Sequence, residues 1–155
     1  MSEWKLPWSA QCLCGQVKMR VSAPPLVAMA CHCKGCQRLT SGAYSLTLML
    51  PGDGFEVLEG ETEPGALRRS ESRHHYCVQC KSWLYTTAPS LGGLVNFRPT
   101  MLDDASWVQP YVESYVSEKL PGVVTGATHS FAQFPPPEKY QELMAGFARD
   151  GAKPA

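Results

Sequence analysis

Seven cysteines carry the chemistry this sequence can offer. They fall in three groups: Cys12-Leu13-Cys14, Cys31-His32-Cys33-Lys34-Gly35-Cys36 and Cys77-Val78-Gln79-Cys80. No cysteine stands alone. Closely spaced pairs suit a metal, because one short turn can aim two thiolates at a common point. Zinc takes thiolate sulfur at ~2.3 Å in a tetrahedron, so a complete site needs two such pairs from separate parts of the chain. Three other readings compete. Disulfides would leave one cysteine over, and a C-x-C pair closes a bridge poorly. A thiol-redox pair at Cys77 and Cys80 lacks the βαβ pattern that usually precedes one. An iron–sulfur cluster on Cys31, Cys33 and Cys36 is a real rival. Zinc uses all seven.

Ligand arithmetic divides them into four and three. Cys12 and Cys14 find their partners in Cys77 and Cys80, giving a closed structural site that ties the N-terminal turn to the middle of the chain. Cys31, Cys33 and Cys36 then hold a second zinc with three protein sulfurs, the pattern of a catalytic zinc with an open position. The competing expectation is a fourth ligand from His32, His74, His75 or His129, which makes a second structural site.

Three thiolates on a dication leave a charge of −1 and a weak Lewis acid. Such a centre suits capture of a soft sulfur ligand better than activation of water, because coordination deprotonates a thiol outright. A captured thiolate, glutathione for instance, can add to a small carbonyl compound. Arg38 is a candidate catalytic contact for the substrate's carboxylates. Gln37, Thr40 and Ser41, and the separate patch of Asn96 and Arg98, are further polar candidates, and His32 is a candidate proton shuttle. Each also has a plainer role as a loop brace or solvated side chain.

The elements that must position these groups read as mostly β. Thirteen Gly and thirteen Pro imply many turns. Val17, Met19 and Val21 alternate with Lys18 and Arg20, and Tyr44, Leu46, Leu48 and Leu50 alternate with Ser45 and Thr47. Shorter strand-like runs are 82–87, 94–97 and 111–117. The stretch 51–65 reads as a turn-rich loop or hairpin connection. Tyr140, Leu143, Met144 and Phe147 share one face of a C-terminal helix between the proline run at 135–137 and Gly151. One domain over 1–150 is expected, with a flexible, frayed tail at 151–155. Lys+Arg and Asp+Glu are equal at 14 each, and no basic run appears, which argues against a nucleic-acid partner. No apolar stretch approaches the ~20 residues of a membrane span. The start, Met1-Ser2-Glu3-Trp4-Lys5, lacks a signal-peptide core, so a cytoplasmic location is expected.

With these residues set out, the chain resembles the glutathione-dependent formaldehyde-activating enzyme family from Cys12 to about Phe147. The resemblance is carried by Cys12-Leu13-Cys14-Gly15, the segment 31–38, and Thr40-Ser41-Gly42-Ala43. Tyr76-Cys77-Val78-Gln79-Cys80, Leu102-Asp103-Asp104 and Phe134-Pro135-Pro136-Pro137 add to it. It implies an Mss4-like fold of small coiled antiparallel sheets around zinc with a short C-terminal helix. It also implies two zinc ions per chain, structural on Cys12, Cys14, Cys77 and Cys80 and catalytic, with the second labile, on Cys31, Cys33 and Cys36. The implied activity is that of a carbon–sulfur lyase, adding glutathione to formaldehyde to give S-(hydroxymethyl)glutathione. The alternative is a non-enzymatic, zinc-stabilised interaction or thiol-carrier module. Family members often carry Gly in and just after the last C-x-x-C, where this chain has Val78 and Lys81.

Overall fold

A computed structural model describes residues 3–65 and 71–155. Met1 and Ser2, part of the N-terminal reading, lie outside the described residues. Among these residues the chain forms two sheets. The smaller is antiparallel, ordered β1 (Trp8–Gln11), β2 (Lys18–Val21), β5 (Phe55–Glu59). The larger runs β11 (His129–Ser130), β10 (Val112–Ser114), β3 (Val27–Cys31), β4 (Ser45–Pro51), β9 (Leu94–Phe97), β8 (Trp83–Thr87), β7 (Arg73–Cys77), β6 (Thr62–Gly65). Its pairs are antiparallel except that β10 runs parallel to both β3 and β11. Helix α1 (Lys34–Thr40) follows β3, and α2 (Tyr140–Asp150) closes the chain. Mostly β with a short C-terminal helix, the architecture agrees with the Mss4-like expectation.

The alternation in β2 survives as a physical division: Val17, Met19 and Val21 are buried while Arg20 is exposed. Leu48, Leu50, Leu84, Phe97 and Val112 fill the centre, and Phe147 of α2 packs there against Tyr111 and Trp4. At ~25 cal/mol per Å² of apolar surface, such side chains supply most of the drive to fold.

Two expectations change. The stretch 51–65 is not a hairpin connection, since β5 joins the small sheet and β6 the large one. β3 and α1 carry no legible pattern. β3 is flanked by strands on both sides and buried over Val27–Ala30, so it lacks alternation. α1 is only seven residues long and contains Gly35. Only Val112–Ser114 of the run 111–117 is strand, because Tyr115 turns into the left-handed region at φ 57°. At the C-terminus α2 continues to Asp150, immediately before the expected tail at 151–155. The Lys153 ammonium lies 5.2 Å from the Trp4 ring centre and 3.6 Å from the Glu3 carboxylate.

Candidate metal centres

Two turns build the first cluster. Cys12 follows β1 and Cys14 sits in the turn to β2, where Gly15 adopts φ +77° and donates its amide to the Cys12 carbonyl at 3.0 Å. Cys77 ends β7 and Cys80 lies in the turn to β8. There Lys81 takes the left-handed conformation at φ 60° and donates its amide to the Cys77 carbonyl at 3.0 Å. The same turn logic thus operates twice, once with glycine and once with a residue that bears the steric cost. Backbone amides of Val17 and Cys80 point at the sulfurs of Cys12 and Cys77, at 3.3 and 3.5 Å. Such donors favour the thiolate.

The four sulfurs lie within 4.8 Å of one another. Cys12 and Cys14 Sγ are 3.5 Å apart, and Cys14 and Cys77 Sγ are 3.8 Å apart. A disulfide needs about 2.05 Å. A tetrahedron with ~2.3 Å metal–sulfur bonds has edges of about 3.8 Å. The spacing fits a metal and excludes a bridge.

The second cluster sits at a strand-to-helix junction. Cys31 ends β3, Cys33 caps α1 by accepting the Cys36 amide at 3.3 Å, and Cys36 lies in the helix's first turn. Their three sulfurs also lie within 4.8 Å of one another, and no histidine, aspartate or glutamate among the described residues joins them. The hydrogen bond between Cys36 and Cys31 pushes Cys31 down to about 5 and drives Cys36 far up. Three thiols this close cannot all ionise without a cation, and this is the donor set a thiophilic metal requires.

The candidate fourth ligands are engaged elsewhere. His32 is wholly buried, and its Nε2 lies 2.9 Å from Glu113 Oε2. His74 Nδ1 pairs with Thr86 Oγ1 at 2.8 Å, and burial, with Arg98 nearby, lowers it to about 4. His75 stacks on Tyr85 and pairs with Thr87. His129 packs edge-on to Tyr111.

Glu113 was not singled out from the sequence. It accepts from His32, from Thr125 Oγ1 at 2.7 Å and from Ser130 Oγ at 2.7 Å. Burial alone would raise its carboxyl, but the bonds from Ser130, Thr125 and His32 hold it down at about 2. An acidic residue inside the apolar run Tyr111-Val112-Glu113 was the available signal. This carboxylate anchors the loop between Cys31 and Cys33 onto β10.

The polar candidates separate. Arg38 is exposed on α1, about 200° around the helix from Cys36, and lines none of the described cavities. Gln37 braces the loop, donating to the carbonyls of His32 and Glu118 at 2.7 and 2.9 Å. Thr40 donates to the Cys36 carbonyl, and Ser41 forms the left-handed cap of α1. Leu39 and Thr40, one turn from Cys36, line a cavity of about 330 Å³ together with Tyr44, Ser45, Trp83 and Arg98. Arg98, read from the sequence as part of a separate patch, therefore stands beside this cluster. Asn96 lines a different cavity, of about 630 Å³, bordered by Met29, Met49, Tyr115 and Tyr140.

No helix among the described residues is long and apolar enough to cross a membrane. Residues 7–118 match the family described as glutathione-dependent formaldehyde-activating enzyme. No curated protein matches the chain. Among solved structures, a crystal structure of a Rhodobacter sphaeroides protein is similar, with a TM-score of 0.51 and 18% identity over 61% of this chain and 87% of that one. At that identity the likeness speaks to fold.

Proposed function

Because the chain belongs to the glutathione-dependent formaldehyde-activating enzyme family, we propose that it is a zinc-dependent carbon–sulfur lyase. It would add a glutathione-like thiol to a small aldehyde such as formaldehyde, in the cytoplasm. One observation carries the reading. Cys31, Cys33 and Cys36 converge without a fourth protein ligand among the described residues, beside the cavity lined by Leu39, Thr40 and Ser45. The other four cysteines would hold a zinc that serves the fold alone.

A zinc ion on Cys31, Cys33 and Cys36 would supply a thiophilic position that favours the thiolate form of an incoming thiol near neutral pH. The chain's own residues do the rest. The end of β3, Cys33 and the first turn of α1 would hold the three sulfurs, with the cavity lined by Leu39 and Thr40 beside them for the substrate. Leu39, Leu46, Tyr44 and Trp83 would give that cavity an apolar wall beside the reacting sulfur and carbonyl. In the reaction the thiol's sulfur forms a bond to the aldehyde carbon. The carbonyl π pair moves to oxygen, which takes up a proton as the thiol's proton is released. No atom is left over and no oxidant is needed.

The test is exchange NMR on glutathione and ¹³C-formaldehyde, with and without the protein and its Cys36→Ala variant. Faster adduct formation with the wild type, lost in the variant, is expected. Unchanged rates across several thiols and aldehydes would end the catalytic reading.

A further inference from the structure

Arg98 presents an electrostatic problem. Its side chain is buried, and no carboxylate among the described residues pairs with it. Its acceptors are neutral: Leu46 O at 3.0 Å, Thr47 Oγ1 at 2.7 Å and Thr86 Oγ1 at 3.1 Å. The guanidinium stacks 3.7 Å over the Trp83 ring, and its Nε has no hydrogen-bond partner among the described residues. Burial lowers it to about 10, which leaves it charged at neutral pH. Taking a lone cation out of water is costly unless an opposite charge stands nearby.

The fold says where that charge is. β4 pairs with β9 only as far back as Leu48↔Phe97, so beyond this point the edge of β4 at 45–47 has no partner on that side. Arg98, the residue after β9, fills the gap and takes the Leu46 carbonyl. On its other side β4 pairs with β3, with Ser45 opposite Cys31 and Thr47 opposite Met29. Cross-strand partners share a face, so the guanidinium bound to Thr47 lies on the Cys31 face, about 7 Å along the strand. Ser45 and Arg98 also line one cavity with Leu39 and Thr40, the α1 neighbours of Cys36.

We propose that Arg98 is the buried counter-ion of the three-cysteine centre, a positioning residue whose charge offsets the −1 of three thiolates around a divalent metal. The inference rests on the reading of that cluster as a metal centre. The loaded site, three thiolates on a dication, carries −1, and a fixed positive charge held beside it offsets that charge. Removing it weakens metal binding there while leaving the four-cysteine site untouched. Three hydrogen bonds within the protein fix the guanidinium, and with it the charge, beside the centre.

The test compares wild type, Arg98→Gln and Arg98→Lys, loaded with zinc or cobalt(II), by chelator competition and by the sulfur-to-cobalt absorption bands. Expected is two metals per chain in the wild type. In Arg98→Gln the weaker metal is lost about tenfold or more readily, and in Arg98→Lys the affinity is largely restored. The tighter metal is equal in all three. Equal retention of both metals in all three overturns the counter-ion role and leaves the metal-centre reading standing. Equal loss in Gln and Lys variants shows that shape rather than charge matters, and overturns it too. One metal per chain in the wild type overturns both. Should Arg98→Gln fail to fold, Arg98→Met, which leaves no polar atom at the end of the side chain, makes the same comparison.

Discussion

Replacing Glu113 tests how the Cys31–Cys33 loop is held. The carboxylate receives three donors: His32 Nε2 at 2.9 Å and Thr125 Oγ1 at 2.7 Å on Oε2, and Ser130 Oγ at 2.7 Å on Oε1. In Glu113→Gln the amide oxygen can still serve His32 and Thr125, and the Ser130 hydroxyl can turn to accept from the new NH₂. What goes is the charge on the acceptor, worth about 1.5–3 kcal/mol for bonds of this kind. Glu113→Ala is harsher. Thr125 and Ser130 lie where water can replace the lost partner, but His32 is wholly buried with its Nδ1 already unpartnered. Its ring then has no acceptor at either nitrogen, and a cost of about 3–5 kcal/mol is expected. Denaturant unfolding of the metal-loaded protein gives the stability, and metal analysis after mild chelation shows whether the loop still presents its sulfurs. The pH dependence has a definite sign. The folded carboxyl titrates at about 2 against an ordinary 4.5. Its contribution is full above about pH 4.5 and fades as pH falls toward 2, so the gap between wild type and Glu113→Gln should close across that window. A Gln variant as stable as wild type at pH 7, with an Ala variant within about 1 kcal/mol, would refute the reasoning.

The two cysteine clusters should respond oppositely to substitution. Cys77→Ser opens the closed site, and because structural zinc contributes ~10 kcal/mol or more, it should abolish the cooperative thermal transition; Cys36→Ser should keep the far-ultraviolet spectrum and bind one metal fewer. The two turn residues form a second contrast. Gly15→Ala meets nothing nearer than 3.7 Å, so its loss of about 1–2 kcal/mol is backbone strain alone. Lys81→Gly should be neutral to about 1 kcal/mol stabilising, since it relieves that strain and gives up only an exposed pair with Glu63. Equal losses at both turns in chemical unfolding would argue against the left-handed geometry.

The residues that carry the family's signature were legible because their information is local. A thiolate pair in a short turn announces itself by spacing, and the ledger of four and three follows from counting ligands. The structure gathers the same sets, each within 4.8 Å. β2 was legible for a similar reason: it has one wet face and one dry one, and Arg20 between Met19 and Val21 records both. β3 has no such contrast, because strands flank it on both sides and nearly every position is buried. α1 is too short for its period to show, and its helical start depends on the Cys33 sulfur receiving the Cys36 amide.

Sequence alone determined the two sulfur sets, the β character and the final helix, all consequences of spacing or period within a few residues. Tertiary structure decided which charges stand near the second cluster. Arg38, two residues from Cys36, faces outward because a helix turns by about 200° over that interval. Arg98, 62 positions further along the sequence than Cys36, is brought beside the cluster because β9 ends where β4 continues, leaving a gap that a guanidinium fills. Glu113 meets His32 because β10 lies parallel to β3. These juxtapositions depend on strand order and register, which are set by how the whole chain buries its apolar faces and leave no mark in the neighbouring residues.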